Sequence, residues 1–273
     1  YQERDMRFLV MGLALWLSAC AMDEGAQAPV ASPETMRLAE TYNSPGNAHF
    51  NARDYASALA DYDATLRLVP NFAGTLRNRC VTKISLNDLD GALADCEAAL
   101  RISSNYASAY NERGRIRERQ GNLEAALADY AEAVRLEPNN GLFWSNLASI
   151  RYRLNDNATA MADVNEAIRL RPDHARAYNT RGIIKRRMGD TAGALTDYNR
   201  AIQLQPDYAI TYRNRGLLRM AQGNSTAAIA DYNLAIRHDP NYADAYESRG
   251  RAYAARGEQN LAIADYDKAI ALR

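Results

Sequence analysis

The chain repeats itself with a period of 34 residues, and this period limits its fold more than any other feature. Self-similarity at such a period is typical of solenoids, in which each unit packs only on its neighbours. Length alone would suggest one or two globular domains, but the repeat predicts a stack of small units instead. Five prolines mark one register of the repeat, and a serine fills the vacant slot: Pro70, Ser104, Pro138, Pro172, Pro206 and Pro240.

Each unit is expected to contain two helices. Between Tyr110 and Gly121, core-type residues recur at helical spacing, and a glycine ends the helix where a left-handed residue is least costly. A second helix is expected from about Leu123 to Leu136. Pro138 and Asn139 should then break the chain, with Asn139 as the N-cap of the next helix. The sequence therefore predicts antiparallel helical hairpins.

The residues that recur in the units resemble those of the tetratricopeptide repeat family. That family has a large aromatic residue, a small residue, an alanine, an aromatic, an alanine and a proline at set places in each unit. Three units match at all six places: Tyr110, Gly114, Ala126, Tyr130, Ala133 and Pro138; Tyr178, Gly182, Ala194, Tyr198, Ala201 and Pro206; and Tyr212, Gly216, Ala228, Tyr232, Ala235 and Pro240.

This resemblance implies an all-α fold, a right-handed α-solenoid or superhelix of about seven antiparallel helix-turn-helix units. The solenoid is expected to cover residues 34–273. The expected units lie near residues 39–72, 73–106, 107–140, 141–174, 175–208, 209–242 and 243–273.

The first and last units depart from the pattern. Pro45 falls inside the first helix of unit one, and we expect Ser44 as N-cap and Pro45 as first helical residue to shorten that helix. Unit seven reaches Arg273 without the polar capping helix that such arrays often add. Either the sequence stops early, or this surface meets a partner or a second copy of the chain through the apolar residues Ile263, Tyr266, Ile270 and Leu272.

The N-terminal residues have the pattern of an export signal. Residues 1–5 precede Met6 and look like upstream read-through or a fragment boundary. Arg7 supplies a positive charge before the apolar run Phe8–Leu17, which is too short to span a bilayer. The sequence thus predicts a signal peptide over residues 6–19.

The end of this signal resembles the lipobox of bacterial lipoproteins, in which signal peptidase II cuts before a lipidated cysteine. Leu17-Ser18-Ala19-Cys20 supplies the motif where the apolar run ends. The resemblance implies that Cys20 is lipidated and becomes the mature N-terminus. By similarity to Gram-negative lipoproteins, an alanine at position 21 favours the outer membrane, facing the periplasm.

Residues 20–33 have no apolar period and are predicted to form a flexible tether between this cysteine and the solenoid. The alternative is an ordinary signal peptide that is cut near Ala19 or Ala28. In that case Cys20 carries no lipid.

Unit two has cysteines at two core places of the repeat. Cys80 replaces the small residue and Cys96 the aromatic. In a hairpin that turns near Asn87 and Asp88 the two lie roughly equidistant from the turn and face each other. Two free buried cysteines are the alternative, but disulfides persist in the periplasm. We predict a Cys80–Cys96 disulfide.

The composition and motifs do not indicate catalysis or nucleic-acid binding. His49, His174 and His238 belong to different units, and there is no HExxH, CxxC or glycine-rich phosphate loop. Thirty-three basic and thirty-three acidic residues cancel, which argues against a protein that binds by neutralising phosphates. We therefore predict no enzyme, no metal site and no cofactor.

Two charged places of the repeat are expected to pair within each unit. On the exposed surface such pairs would be worth only about 0–1 kcal/mol each, so we assign them a structural role. The residues are Asp61, Asp95, Asp129, Asp163, Asp197, Asp231 and Asp265, with Arg79, Arg113, Arg181, Arg215 and Arg249.

The resemblance also implies that the first helix of each unit lines a concave surface. Residues spaced by three or four share one face of a helix. Apolar residues on this face have no obvious core to join, and the arginines and Asn179 could hold a peptide backbone or carboxylate. Packing between neighbouring first helices is the alternative. We call the eight residues of units five and six the groove: Arg176, Asn179, Ile183, Arg186, Ile210, Arg213, Leu217 and Met220.

Together these features predict a non-catalytic protein–protein interaction scaffold. A lipidated Cys20 would tether it to the bacterial envelope, where the groove would bind peptides or proteins, with envelope-assembly proteins as the expected partners. The alternative is a soluble secreted or cytosolic scaffold without a lipid anchor.

Overall fold

The computed structural model describes residues 32–273, so the predicted signal peptide and Cys20 lie outside the described residues. Residues 32–273 form fourteen helices and no strand. The helices are α1 (Pro33–Asn51), α2 (Tyr55–Leu68), α3 (Ala73–Ser85), α4 (Leu89–Ile102), α5 (Ala107–Arg119), α6 (Leu123–Leu136), α7 (Gly141–Arg153), α8 (Asn157–Leu170), α9 (Ala175–Arg187), α10 (Thr191–Leu204), α11 (Ala209–Ala221), α12 (Ser225–His238), α13 (Ala243–Ala255) and α14 (Gln259–Ala271).

The helices pair in order as seven hairpins, α1 with α2 through α13 with α14, and each hairpin packs on the next. The predicted all-α solenoid is therefore confirmed. First helices of successive units also contact each other, as α3 does with α5 and α7 with α9. Second helices of residues 32–273 make no comparable contacts with one another. The first helices therefore form the inner, concave side and the second helices the outer, convex side.

The helix ends follow the sequence signals closely. Gly121 has a φ of +82°, as predicted for the residue after a helix, and α6 spans the predicted range. The N-cap of α7 is Asn140, whose side chain accepts a hydrogen bond from the Leu142 N–H at 3.2 Å. The prediction of Asn139 was therefore wrong by one residue. A backbone bond from Asn140 to the Glu137 carbonyl closes the turn and brings Asn140 next to α7.

The first helix runs through the proline that was expected to start it. The N-cap of α1 is Ser32, which accepts a hydrogen bond from the Thr35 N–H at 3.1 Å, and Pro45 lies inside the helix. The prediction of a shortened helix starting at Pro45 was therefore wrong. The proline and Thr41, the residue four before it, are both exposed. Water can therefore hydrate the carbonyl that the missing N–H leaves free.

In most units a tyrosine of the second helix packs directly on the backbone of the first helix. A Cβ added to Gly216 would lie 2.5 Å from Cε1 of Tyr232, so no larger residue fits there. Unit two uses a cysteine pair at these two places. The structure joins Cys80 to Cys96 in a fully buried disulfide, with Cα atoms 5.8 Å apart. Closing a loop of this size contributes about 3 kcal/mol in the chain-entropy model.

The repeated aspartate and arginine pair as predicted, but the aspartate is buried rather than exposed. Asp231 is only 1% exposed. Its two oxygens accept hydrogen bonds from Arg215, and Arg219 forms a second ion pair with it at 2.9 Å. Arg215 also donates to Asn199 of the preceding unit at 2.7 Å, which links the two units. The same aspartate–arginine pair recurs as Arg79–Asp95, Arg113–Asp129, Arg181–Asp197 and Arg249–Asp265.

Units one and four lack the repeated arginine. In unit four Leu147 takes its place, and Asp163 keeps a single ion pair, with Arg151 at 2.6 Å. Burial raises the pKa of Asp163, and Arg151 opposes the rise. In unit one Pro45 takes the arginine's place, and Asp61 pairs with His49 at 2.8 Å. The repeated arginine is therefore what distinguishes the other five units, and four of these add a second cation, as Arg219 does beside Asp231.

In residues 32–273 no helix combines the length and apolar character that crossing a membrane requires.

Candidate functional site: the concave groove

The groove lies on α9 and α11, the first helices of units five and six, on the concave side of the solenoid. Three of its residues are exposed, namely Arg176, Arg186 and Ile210, the last of which is 41% exposed. Ile183, Arg213, Leu217 and Met220 are half-buried, and Asn179 is buried.

Contrary to what the sequence led us to expect, three apolar residues of the groove pack against the core. Leu217 and Met220 pack against the core that contains Tyr232, and Ile183 packs against the core that contains Tyr198. The sequence could not show this because the tyrosine rings lie under the first helix and extend the core towards the concave side. These three side chains therefore form a partly exposed apolar floor, and Ile210 is the most exposed apolar residue of the groove.

The arginines of the groove differ in what holds them. Arg213 donates to the Ser248 hydroxyl at 3.2 Å and pairs with Asp244 at 3.7 Å, so it ties unit six to unit seven. Arg176 and Arg186 form no ion pair with any residue in 32–273, and Arg186 lies against the hydroxyl of Tyr198. Two guanidinium groups are thus free to bind a ligand.

Asn179 connects neighbouring first helices. It is 4% exposed, and its amide oxygen accepts a hydrogen bond from Asn214 at 3.0 Å. Asn146 and Asn111 form the same link between units three and four, at 2.7 Å. The amide of Asn179 therefore holds α9 beside α11 and fixes the spacing of the arginines above it.

Two buried tyrosine hydroxyls below the groove have no hydrogen-bond partner among the described residues. Tyr198 and Tyr232 are both fully buried, and both hydroxyl oxygens lack a partner. In other units the corresponding hydroxyl is paired: Tyr62 donates to Asn47 and Tyr130 to Glu118, each at 2.8 Å. Sequence reasoning missed this difference because the tyrosine itself does not change between units.

The signal lay in the residues that supply the acceptors. Asn47 and Glu118 occupy two places of the first helix, and units five and six have Ile183 with Arg186 and Leu217 with Met220 at the corresponding places. Arginine has only donors, and the other three side chains have no strong acceptor. The loss of both acceptors could therefore have been found by aligning the units.

Arginines lie near both hydroxyls, together with Asp197 near Tyr198 and Asp231 near Tyr232. Burial raises the pKa of Tyr198 to about 12, and the nearby Arg186 guanidinium opposes part of that rise. Burial likewise raises the pKa of Tyr232 to about 12, opposed by Arg213, Arg186 and Arg251. Both hydroxyls therefore stay protonated at neutral pH and remain hydrogen-bond donors.

The histidines and acidic residues do not form a metal site in the described part of the chain. Within residues 32–273 no group of three or more histidine, cysteine or carboxylate side chains is arranged to hold a metal ion. The three histidines remain apart: His49 pairs with Asp61, and His238 stacks on Tyr212 with centroids 5.4 Å apart. Burial lowers the pKa of His174 to about 4.

Comparison with known families gives matches along most of the described chain. Profiles described as "Tetratricopeptide repeat" match residues 46–107, 82–141, 111–175 and 243–273, and one described as "TPR repeat" matches residues 182–223 and 218–255. A comparison with curated proteins finds no significant match.

Solved structures with similar folds include a tetratricopeptide repeat protein from Parabacteroides merdae. It is 21% identical with a TM-score of 0.71, and the alignment covers 86% of this chain and 93% of that one. Pseudomonas aeruginosa PilF is 15% identical with a TM-score of 0.60, covering 71% and 88%. YrrB, described as a TPR protein with an unusual peptide-binding site, is 22% identical with a TM-score of 0.50, covering 67% and 95%. At these identities the likeness concerns the fold.

Proposed function

The chain belongs to the tetratricopeptide repeat family, and we propose that it is a non-catalytic scaffold that binds peptide or protein partners through the groove. Repeats of this family support interaction with proteins, and YrrB is described as having a peptide-binding site. The observation that carries the proposal is the pair of free guanidinium groups, Arg176 and Arg186, beside the apolar floor of the groove.

The chemistry of the groove suits a peptide. Ile210 and the half-buried Leu217 and Met220 offer apolar surface to side chains. Arginines at the edge can bind carboxylates with two parallel hydrogen bonds. A solenoid presents such a surface on several rigid helices at once, so an extended or helical segment can contact more than one unit.

We further propose that the scaffold is anchored to the outer membrane through a lipid on Cys20, facing the periplasm. The support is the sequence Leu17-Ser18-Ala19-Cys20 at the end of an apolar run. The disulfide between Cys80 and Cys96 fits this location, since disulfides form and persist in the periplasm. Partners would then be proteins that act in assembling the envelope.

The test of the groove is a charge reversal that leaves the fold intact. The double variant Arg176→Glu/Arg186→Glu should recover about ten-fold less of the proteins that co-purify with the wild-type chain from envelope extracts. Its thermal unfolding should match the wild type, because both side chains are exposed and neither forms an ion pair. Arg213 is avoided because its reversal would break the contact with Asp244.

The matched control reverses two exposed arginines on the convex side, Arg200→Glu/Arg237→Glu. This variant carries the same change in net charge and should retain all co-purifying proteins. Equal losses in both variants would mean that net charge matters rather than the groove. Full recovery by Arg176→Glu/Arg186→Glu would contradict the proposal.

A further inference from the structure

The chain itself shows how a carboxylate satisfies the tyrosine below a first helix. In unit three Tyr130 is fully buried and its hydroxyl donates to the carboxylate of Glu118 at 2.8 Å. A buried donor without an acceptor costs about 1–3 kcal/mol. Tyr198 and Tyr232 lack such an acceptor in units five and six, so each site holds a hydrogen-bond donor that a ligand could satisfy.

The charges near both hydroxyls select the kind of acceptor. Arg186 lies near both of them, and Arg213 and Arg251 lie near Tyr232. The acidic side chains near the hydroxyls are already engaged: Asp197 pairs with Arg181, and Asp231 pairs with Arg215. An anionic acceptor is therefore favoured over a neutral carbonyl or amide oxygen.

We propose that the groove binds acidic peptides, with side-chain carboxylates of the peptide accepting hydrogen bonds from Tyr198 and Tyr232. Each carboxylate takes the place that Glu118 has beside Tyr130 and also pairs with Arg186. This inference rests on the proposed function and adds the chemistry of the partner. Aspartate and glutamate side chains are the source of the carboxylates, rather than a free C-terminus.

Access to the hydroxyls requires only a small rearrangement. Both oxygens are shielded by side chains of the groove. Arg186 is exposed and has no ion pair within residues 32–273, so turning its side chain aside gives up only its contact with the Tyr198 hydroxyl. Once bound, the carboxylate pairs with Arg186. This ion pair offsets the rotamer freedom that the side chains lose on binding.

The experiment uses the full chain and random linear peptides displayed on phage. We expect the selected peptides to be enriched in aspartate and glutamate. One selected peptide is then synthesised in three forms: with an amidated C-terminus, with a free C-terminus, and with its acidic residues changed to amides. The amidated acidic peptide should bind as well as the free acid. The form without carboxylate side chains should bind at least about ten-fold more weakly.

Two tyrosine variants test the contact itself. Tyr198→Phe and Tyr232→Phe should each weaken binding of the acidic peptide about ten-fold. Neither should lower the unfolding temperature, because each removes a buried hydroxyl that has no partner. The control Tyr62→Phe loses a hydroxyl that is paired with Asn47, in unit one. It should unfold at a lower temperature but bind the peptide normally.

The outcomes separate this inference from the proposed function. If Arg176→Glu/Arg186→Glu abolishes peptide binding but the tyrosine variants bind normally, the tyrosine contact is wrong and the groove stands. Selected peptides without acidic residues, or binding that depends on a free C-terminus, would also overturn the inference. Peptides that bind all of these variants equally would overturn both proposals.

Discussion

Replacing Asp231 with alanine is expected to lower the free energy of unfolding by about 3 kcal/mol. The carboxylate is buried and holds two cations, Arg215 and Arg219. Its loss leaves both guanidinium groups without their partner, and Arg215 is largely buried. Arg219 keeps some contact with solvent. The expected loss in the free energy of unfolding therefore lies at the lower end of the range for breaking a buried ion pair. Urea unfolding followed by circular dichroism would measure the change.

Two control variants make this stability test specific. Glu132→Ala removes an exposed ion pair with Arg135 and should cost no more than about 1 kcal/mol. Asp163→Ala removes a buried carboxylate that has only one cation, Arg151, and should cost less than Asp231→Ala. A cost below about 1 kcal/mol for Asp231→Ala would show that the repeated pairs do not stabilise the stack.

Replacing Cys20 with alanine is expected to move the protein from the membrane fraction to the soluble fraction. Each buried methylene contributes about 0.8 kcal/mol to membrane binding, and stable anchoring takes two chains or more. A lipidated Cys20 would supply them, so its loss removes nearly all of the membrane affinity. Mass spectrometry of the wild-type chain should find acyl mass on Cys20 as the first residue.

The other two cysteines provide the control for this fractionation. Cys80→Ala/Cys96→Ala removes the disulfide but leaves Cys20, so this variant should remain with the membrane. Processing of the wild-type chain should also stop when globomycin inhibits signal peptidase II. If Cys20→Ala fractionates with the membrane as before, the proposed lipid anchor on Cys20 is wrong.

The repeat predicted most of the fold because its informative residues have local causes. Gly121 adopts a positive φ, and the cysteines of unit two meet because they replace a glycine and a tyrosine that are in contact elsewhere. The start of α1 was predicted wrongly at Pro45. Helix signals within a few residues cannot show that α2 packs along α1 and holds it as one helix. Packing between helices can override such a local signal.

The site was predicted less completely because burial depends on neighbouring units. The sequence could place Asp231 beside Arg215, but it could not show that the carboxylate is buried. It also gave no sign that Leu217 joins a core, and the missing acceptor of Tyr198 is visible only when its unit is aligned with that of Tyr130 and Glu118. Burial and contacts of this kind depend on how two or three helices pack together. A repeat pattern gives only the spacing of residues along a single helix.

The central claim is that partners bind the concave side of the solenoid, and site-specific photo-cross-linking in cells tests it most directly. A photoreactive residue would replace Ile210 in the groove, Gln203 on the convex side, or Ile263 on the exposed apolar surface of α14. We expect discrete cross-linked products from position 210 and none from position 203, while position 263 tests the possible contact of α14 with a partner or a second copy of the chain. Products from position 203 or 263 alone would contradict the account.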